Sequence, residues 1–297
     1  MPDISVIAGP ASPDLAARIA KHLGAELVIA ELKIFSDGES RLSIGNTKKN
    51  CIVVQSTYPP VDTHIMQALM LAKKCDDDGA SDVCMVVPYL AYARQDRAFL
   101  EGEAISISLL AKLVSASGIK NLITVDIHSQ RAMSYFDSIG IRNVSSIPLL
   151  AEYAKGLELH NPIAVSPDAG GEERVREFAN HLGSDFMVLR KSRNRSTGEV
   201  MVDGKLDIEV AGSDAILVDD MISSGGSVIR AAEVLKRGGA GKVYAMCAHA
   251  LMTGDAGQKI KEAGVTDIIG TNSIPNQYAR VDLSPALASE VSSLYSA

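Results

Sequence analysis

The chain has 297 residues, room for two domains of about 150 each, and its 46% hydrophobic and 22% charged residues are the balance of a globular protein. A net charge of −7 argues against a general nucleic-acid binder, which would carry a basic face, while leaving room for a local basic pocket. No apolar run reaches the length of a bilayer span, the start Met-Pro-Asp-Ile-Ser is no signal peptide, and the four cysteines form no C-x-x-C pair, so no membrane partner, zinc site or redox dithiol is expected and a reducing cytoplasm is the simplest setting.

In chain order, short β-branched runs alternate with helical periodicity. The expected strands are Ile4–Ala8, Cys51–Gln55, Asp82–Val87 and Asn121–Val125, with helices over Thr63–Lys74 and Ala104–Ala116. The pattern resumes with strand Ile163–Val165, helix Glu172–Leu182 and strand Asp185–Leu189. Strand Ala215–Val218, helix Val228–Lys236 and strand Lys242–Ala248 follow, then helix Gly257–Ala263 and strand Asp267–Gly270. Such alternation predicts an α/β protein of mostly parallel sheets flanked by helices, because parallel strands need crossovers that helices supply. A boundary falls where Pro148 opens a new helix, giving domains over 1–145 and 146–280. The last segment, 281–297, reads as a helix able to return to the first domain. Cys51, Cys84 and Cys247 sit in strand-like runs and read as small core hydrophobes.

The most informative stretch is Asp219-Asp220-Met221-Ile222-Ser223-Ser224-Gly225-Gly226-Ser227, read as a loop between a buried strand and a helix. Unpaired N–H groups and the positive end of a helix dipole suit an anion there, and Ser223, Ser224 and Ser227 add hydroxyl donors. Two adjacent carboxylates would repel a phosphate but can accept hydrogen bonds from neighbouring hydroxyls, as on a ribose ring. A phosphate seat beside a diol clamp points to a sugar phosphate; ordinary turn and N-cap chemistry is the other reading.

Four further segments carry chemistry. Arg94, Gln95 and Arg97 follow a strand in Pro88–Arg97 and can bind phosphate oxygens and the polar edge of a base, or form a solvated loop. His128 follows a strand in Val125-Asp126-Ile127-His128, where Asp126 could fix its tautomer; a lone histidine there is either structural or a ligand. In Ser166-Pro167-Asp168-Ala169-Gly170-Gly171, Asp168 can ligate magnesium and the glycines admit a diphosphate to the backbone; a helix-capping turn also fits. Lys191-Ser192-Arg193-Asn194-Arg195 begins the densest basic segment, either a solvated loop or a cationic loop closing over a triphosphate.

Together these segments resemble the ribose-phosphate pyrophosphokinases, and the Phe35-Ser36-Asp37-Gly38-Glu39 turn adds to the likeness. Ser223, Gly225 and the run Gly102-Glu103-Ala104-Ile105-Ser106 resemble the shorter archaeal-type forms. The resemblance implies two phosphoribosyltransferase-like domains and transfer of the diphosphoryl group of ATP to ribose 5-phosphate with Mg²⁺. It assigns ATP binding to Phe35, Asp37, Gly38, Glu39, Arg94, Gln95 and Arg97, with the Phe35 turn serving a neighbouring subunit of a homo-oligomer. It assigns the diphosphate loop to Asp168, Ala169, Gly170 and Gly171, metal contact to His128 and Asp168, and catalysis to Lys191 and Arg193. Ribose 5-phosphate falls to Arg193, Asp219, Asp220, Ser223, Ser224, Gly225, Gly226 and Ser227. A phosphoribosyltransferase or a non-catalytic regulatory homologue is the alternative; the former would not need the arginine loop, and the latter would have damaged motifs.

Overall fold

A computed structural model of the chain describes residues 3–189, 191–193, 200–202 and 208–295, the side chains of 191–193 and 200–202 excepted. The chain divides into two compact units, residues 1–145 with 283–297, and residues 146–282.

The first unit runs β1 (Ile4–Ala8), α1 (Pro13–Leu23), β2 (Glu26–Ile29), β3 (Glu31–Ile34), β4 (Ser40–Ser43), β5 (Asn50–Val54), α2 (Val61–Asp77), β6 (Asp82–Val87), α3 (Ser106–Ala116), β7 (Asn121–Val125), α4 (Gln130–Met133) and β8 (Gly140–Val144). Six of these strands form a parallel sheet in the order β2-β1-β5-β6-β7-β8. β3 and β4 pair separately as an antiparallel hairpin. The central strands are buried along almost their whole length, the expected look of strands covered on both faces. By contrast β2 and β3 are mostly exposed, and sequence patterning passed over both: of the apolar run Leu27-Val28-Ile29 in β2 only Val28 is buried, and β3 has charged Glu31 and Lys33 among its four exposed residues. Helix α1 was also unforeseen, although its signals are ordinary: Pro13 in the first turn, buried Leu15, Ala16, Ile19, Ala20 and Leu23, and left-handed Gly24 as its cap.

The second unit runs α5 (Ile147–Lys155), β9 (Ile163–Ser166), a 3₁₀ turn (Ala169–Gly171), α6 (Glu172–Leu182), β10 (Asp185–Val188), β11 (Lys191–Arg193), β12 (Val200–Val202), β13 (Ala215–Ile222), α7 (Gly226–Arg237), β14 (Val243–Ala250), α8 (Ala256–Glu262), β15 (Asp267–Thr271) and β16 (Ala279–Val281). Its parallel sheet has the order β10-β9-β13-β14-β15-β16, and β11 pairs with β12 as a hairpin. The two sheets thus share one topology, each with a hairpin inserted between the second and third sheet strands. Side-chain alternation along β13 splits the core: Ala215 and Leu217 pack towards α7 and α8, Ile216 and Val218 towards α5 and α6. Ile222 rejoins the face of Ala215 and Leu217, so the alternation slips across Asp219–Met221.

Helix α9 (Ser284–Tyr295) belongs to the first unit and packs on α1, β7 and β8. Arg142 of β8 pairs with Glu290 at 2.7 Å, and the Tyr295 hydroxyl donates to Asp82 Oδ2 at 2.6 Å. All four cysteines are buried and unbridged.

Candidate active site

Strand order locates the chemistry of the second unit. From β9 the chain moves to β10 on one side, then crosses to β13 on the other. Neighbouring strands whose connections leave in opposite directions open a crevice beyond their carboxyl ends, where open α/β sheets bind ligands. The segments flanking this crevice are Ser166–Gly171 after β9 and Asp219–Ser227 at the end of β13. Topology therefore brings together two of the segments singled out in the sequence.

β13 is longer than expected. The acidic pair is not in a loop but in the strand, which continues to Ile222, because Met221 and Ile222 pair with His249 and Ala250 of the equally extended β14. The turn is confined to Ser223–Gly225, and α7 begins at Gly226 rather than Val228. Gly225 has φ 79°, a conformation that favours glycine, and its position leaves no room for a Cβ, which would lie 2.8 Å from Ile260 Cδ1. Ser223 is tethered through its carbonyl, which accepts from Thr253 N–H at 3.1 Å. Ser224 is exposed, while Gly226 and Ser227 are half-buried in the first turn of α7.

Asp219 is half-buried and Asp220 buried. Asp219 Oδ1 accepts the Asp220 N–H at 2.9 Å. Burial, reinforced by Asp220 beside it, pushes the Asp219 carboxyl up to about 8, against the opposing pull of Arg174. Arg174, in the first turn of α6, donates to Asp219 Oδ1 at 3.2 Å and lies 3.3 Å from Asp220 Oδ1. Sequence patterning missed this residue. Its only signal was a cation placed shortly after the double glycine, and α6 carries other charges.

Asp168 caps the 3₁₀ turn: its Oδ1 accepts the Gly170 N–H at 3.1 Å, and its carbonyl accepts the Ser166 hydroxyl at 2.7 Å. The capping reading of this segment is therefore real, and it leaves a loop whose Ala169 and Gly170 are exposed. Gly171 is buried; a Cβ there would meet Ser166 Oγ at 2.4 Å and Arg174 Nη1 at 3.2 Å. Lys191 and Arg193 lie in β11, in register with Val202 and Val200, so this part of the basic segment is a strand rather than the loop that both sequence readings expected. Their side chains and Arg195 lie outside the described residues.

In the first unit the corresponding crevice, between β1 and β5, is filled by the chain itself. Gln55 Oε1 accepts the Ala11 N–H at 2.9 Å, Ser12 Oγ accepts the Ser56 N–H at 2.9 Å, and a Cβ on Gly9 would lie 2.2 Å from Gln55 Oε1. Gln55 and Ser56 are fully buried. The candidate residues instead follow β6 and β7. Arg94 and Arg97 are exposed and Gln95 half-buried. Glu103 organises their loop, with one oxygen accepting from Phe99 N–H at 2.8 Å, Leu100 N–H at 3.1 Å and Gln95 Nε2 at 3.2 Å. Those backbone donors hold the Glu103 carboxyl below its usual range. Asp96, buried, accepts the Ser129 hydroxyl at 2.6 Å, and its carbonyl accepts the Tyr135 hydroxyl at 2.9 Å. That bond joins the arginine loop to the residue after His128, which is exposed beyond β7. Sequence patterning gave no hint of either tie. Phe35–Glu39 forms the exposed turn between β3 and β4, closed by Phe35 N–H to the Glu39 carbonyl at 2.9 Å and Glu39 N–H to Asp37 Oδ1 at 3.1 Å, with Gly38 at φ 92°.

Comparison with known proteins agrees with this architecture. The family profile for the N-terminal domain of ribose phosphate pyrophosphokinase matches residues 4–118, and that for the phosphoribosyl synthetase-associated domain matches residues 194–296. A ribose-phosphate pyrophosphokinase from Sulfurisphaera tokodaii is 35% identical over 96% of this chain and 99% of its own length. One from Methanopyrus kandleri is 37% identical over 97% and 99%. The crystal structure of phosphoribosylpyrophosphate synthetase from Mycobacterium smegmatis superposes with a TM-score of 0.87 at 26% identity, covering 99% of both chains. The chain belongs to the ribose-phosphate pyrophosphokinase family.

Proposed function

We infer that the protein transfers the β,γ-diphosphoryl group of ATP to the C1 hydroxyl of ribose 5-phosphate, giving phosphoribosyl pyrophosphate (PRPP) and AMP. The observation that carries the reading is the end of β13, where two carboxylates run directly into a glycine turn and the start of α7 beside a strand-order switch. Asp219 and Asp220 accept hydrogen bonds from the ribose hydroxyls, and Ser223, Ser224, Gly225, Gly226 and Ser227 seat the 5-phosphate on hydroxyls and helix N–H groups. The C1 oxygen attacks the β-phosphorus, the bond from that phosphorus to the α–β bridging oxygen breaks, and AMP leaves with that oxygen; the hydroxyl proton passes to solvent.

Arg94, Gln95 and Arg97 hold ATP, and Lys191 and Arg193 stabilise the charge on the diphosphoryl group in transit, Arg193 also contacting the sugar phosphate. The Asp168–Gly171 loop receives the diphosphate. Asp37 and Glu39 hold the base or ribose of ATP while Phe35 stacks on adenine, all from a neighbouring subunit of a homo-oligomer. The exposure of Phe35 and of Ile34 beside it supports that last assignment.

Among the described residues no group of three or more His, Cys, Asp or Glu side chains converges on a cation position. Magnesium is commonly held by one or two carboxylates, water and substrate phosphates, so a loop carboxylate such as Asp168 with the substrate phosphates is a fitting donor set. Asp168 would hold it with a hard oxygen and His128 with a ring nitrogen; when bound it supplies charge neutralisation on the transferring phosphates.

The test is chromatography of purified protein incubated with ATP, ribose 5-phosphate and Mg²⁺. AMP and PRPP should appear in equal amounts. Consumption of PRPP with a nucleobase, without AMP formation from ATP, would mark a phosphoribosyltransferase. Sugar binding without turnover at any magnesium concentration would mark a regulatory homologue.

A further inference from the structure

Arg174 has no place in the chemistry assigned so far, yet among the described residues it is a cation that contacts both members of the acidic pair. Its two terminal nitrogens divide between the two carboxylates, Nη1 to Asp219 Oδ1 at 3.2 Å and Nη2 against Asp220 Oδ1 at 3.3 Å. The partners are well covered, with 21% of the Arg174 side chain exposed, 24% of Asp219 and 6% of Asp220. Such a pair is neither surface decoration nor easily replaced, because a planar guanidinium reaches two acceptors at fixed angles where an ammonium offers a point charge. The strand alternation slips at this pair, so ordinary β geometry does not dictate how the two carboxylates lie relative to each other. The Asp220 N–H holds Asp219 Oδ1 from within β13, and from outside the strand Arg174 touches both carboxyl groups. Gly171 preserves the space it occupies, since any Cβ there would come within 3.2 Å of Nη1.

We propose that Arg174 is a positioning residue for the sugar: it fixes the Asp219 and Asp220 carboxylates as one unit, so that a vicinal diol meets both at once. The proposal rests on the ribose 5-phosphate reading of the site. Without the guanidinium, the Asp219 and Asp220 carboxyl groups lose the side chain that holds both, and the diol finds one oriented acceptor instead of two. The phosphate seat at Ser223–Ser227 is a different set of groups and is left intact. Loss of Arg174 therefore weakens the sugar contribution to binding and spares the phosphate contribution.

The experiment compares the native chain with Arg174→Met and Arg174→Lys. Binding of ribose 5-phosphate and, separately, of inorganic phosphate is followed by calorimetry, alongside KM for each substrate, kcat and thermal melting. Arg174→Met should weaken ribose 5-phosphate roughly 10- to 100-fold, the scale of a misplaced positioning contact, with inorganic phosphate and KM for ATP changed by less than about threefold. Arg174→Lys, which keeps the charge but not the fork, should recover part of the loss and also serves if Arg174→Met does not fold. Unchanged ribose 5-phosphate affinity in both variants would overturn the proposal, as would parallel losses for sugar phosphate and inorganic phosphate. A native chain that binds ribose 5-phosphate but forms no PRPP overturns the assigned reaction alone, because the contrast is read from binding. A native chain that does not bind it overturns both.

Discussion

Gly225 and Gly226 are adjacent between β13 and the first turn of α7, and the structure sets them opposite fates. Gly225 sits at φ 79°, ψ −2°, and a Cβ there would lie 2.8 and 2.9 Å from Cδ1 and Cγ1 of Ile260, which is fully buried in the core beneath α7. Gly225→Ala meets two penalties: about 1–2 kcal/mol for a left-handed backbone in an L-residue and about 1–3 kcal/mol for forcing atoms into a packed core. The sum, about 2–5 kcal/mol, corresponds to a fall in Tm of roughly 5–20 °C. At Gly226 a Cβ would meet nothing nearer than Arg230 Nη1 at 3.4 Å, an ordinary contact, and the residue is already helical. Gly226→Ala should leave stability unchanged or raise it by up to about 1 kcal/mol. Thermal unfolding followed by circular dichroism reads the stability, and titration with ribose 5-phosphate reads whether the turn still seats the phosphate; Gly225→Ala should lose both. Equal melting temperatures for the two variants would show that neither the left-handed backbone nor the Ile260 contact at Gly225 penalises a Cβ.

Three further outcomes are expected. Asp219 holds its proton up to about 8 in the folded chain, so its contribution to stability is present in acid and is lost as pH rises through that value, whereas a carboxylate able to accept sugar hydroxyls appears over the same rise. Ribose 5-phosphate affinity should therefore increase through pH of about 8, and Asp219→Asn should abolish that step; an identical pH profile in the variant would count against it. Ser129→Ala removes the 2.6 Å bond from Ser129 to Asp96, and a double-mutant cycle with Asp96→Asn on KM for ATP should give a coupling of about 0.5–3 kcal/mol, against zero if the arginine loop and the His128 segment act independently. Lys191→Ala should lower kcat far more than it weakens ribose 5-phosphate, and a steady-state assay showing unchanged turnover would remove that residue from the catalytic group.

Much was legible locally. Asp82–Val87, Asn121–Val125 and Glu172–Leu182 match their expected bounds, because buried parallel strands and amphipathic helices write their periods directly into the chain. The end of β13 was misjudged for a reason of the same kind. Asp219 and Asp220 look like the start of a loop, and only pairing with a β14 that ends two residues later than expected keeps them in the sheet. The basic segment at Lys191–Arg193 likewise acquires strand structure from a partner seven to eleven residues away, which no local pattern announces.

By itself the sequence determined the alternating α/β grammar, the chemical character of each segment and, through their combination, the family. The folded sheets add a difference between two equivalent crevices that no local pattern carries. The two sheets have the same strand order, yet the switch between β1 and β5 is filled by Gln55 and Ser12 while that between β9 and β13 is bordered by the glycine loop and the acidic pair. Tertiary structure also decided that Arg174 would face Asp219 and Asp220 across 45 residues of chain. Periodicity is a property of neighbours along the chain, whereas strand order and long-range ion pairs depend on which distant segments pack together, and that is settled only when the sheet is assembled.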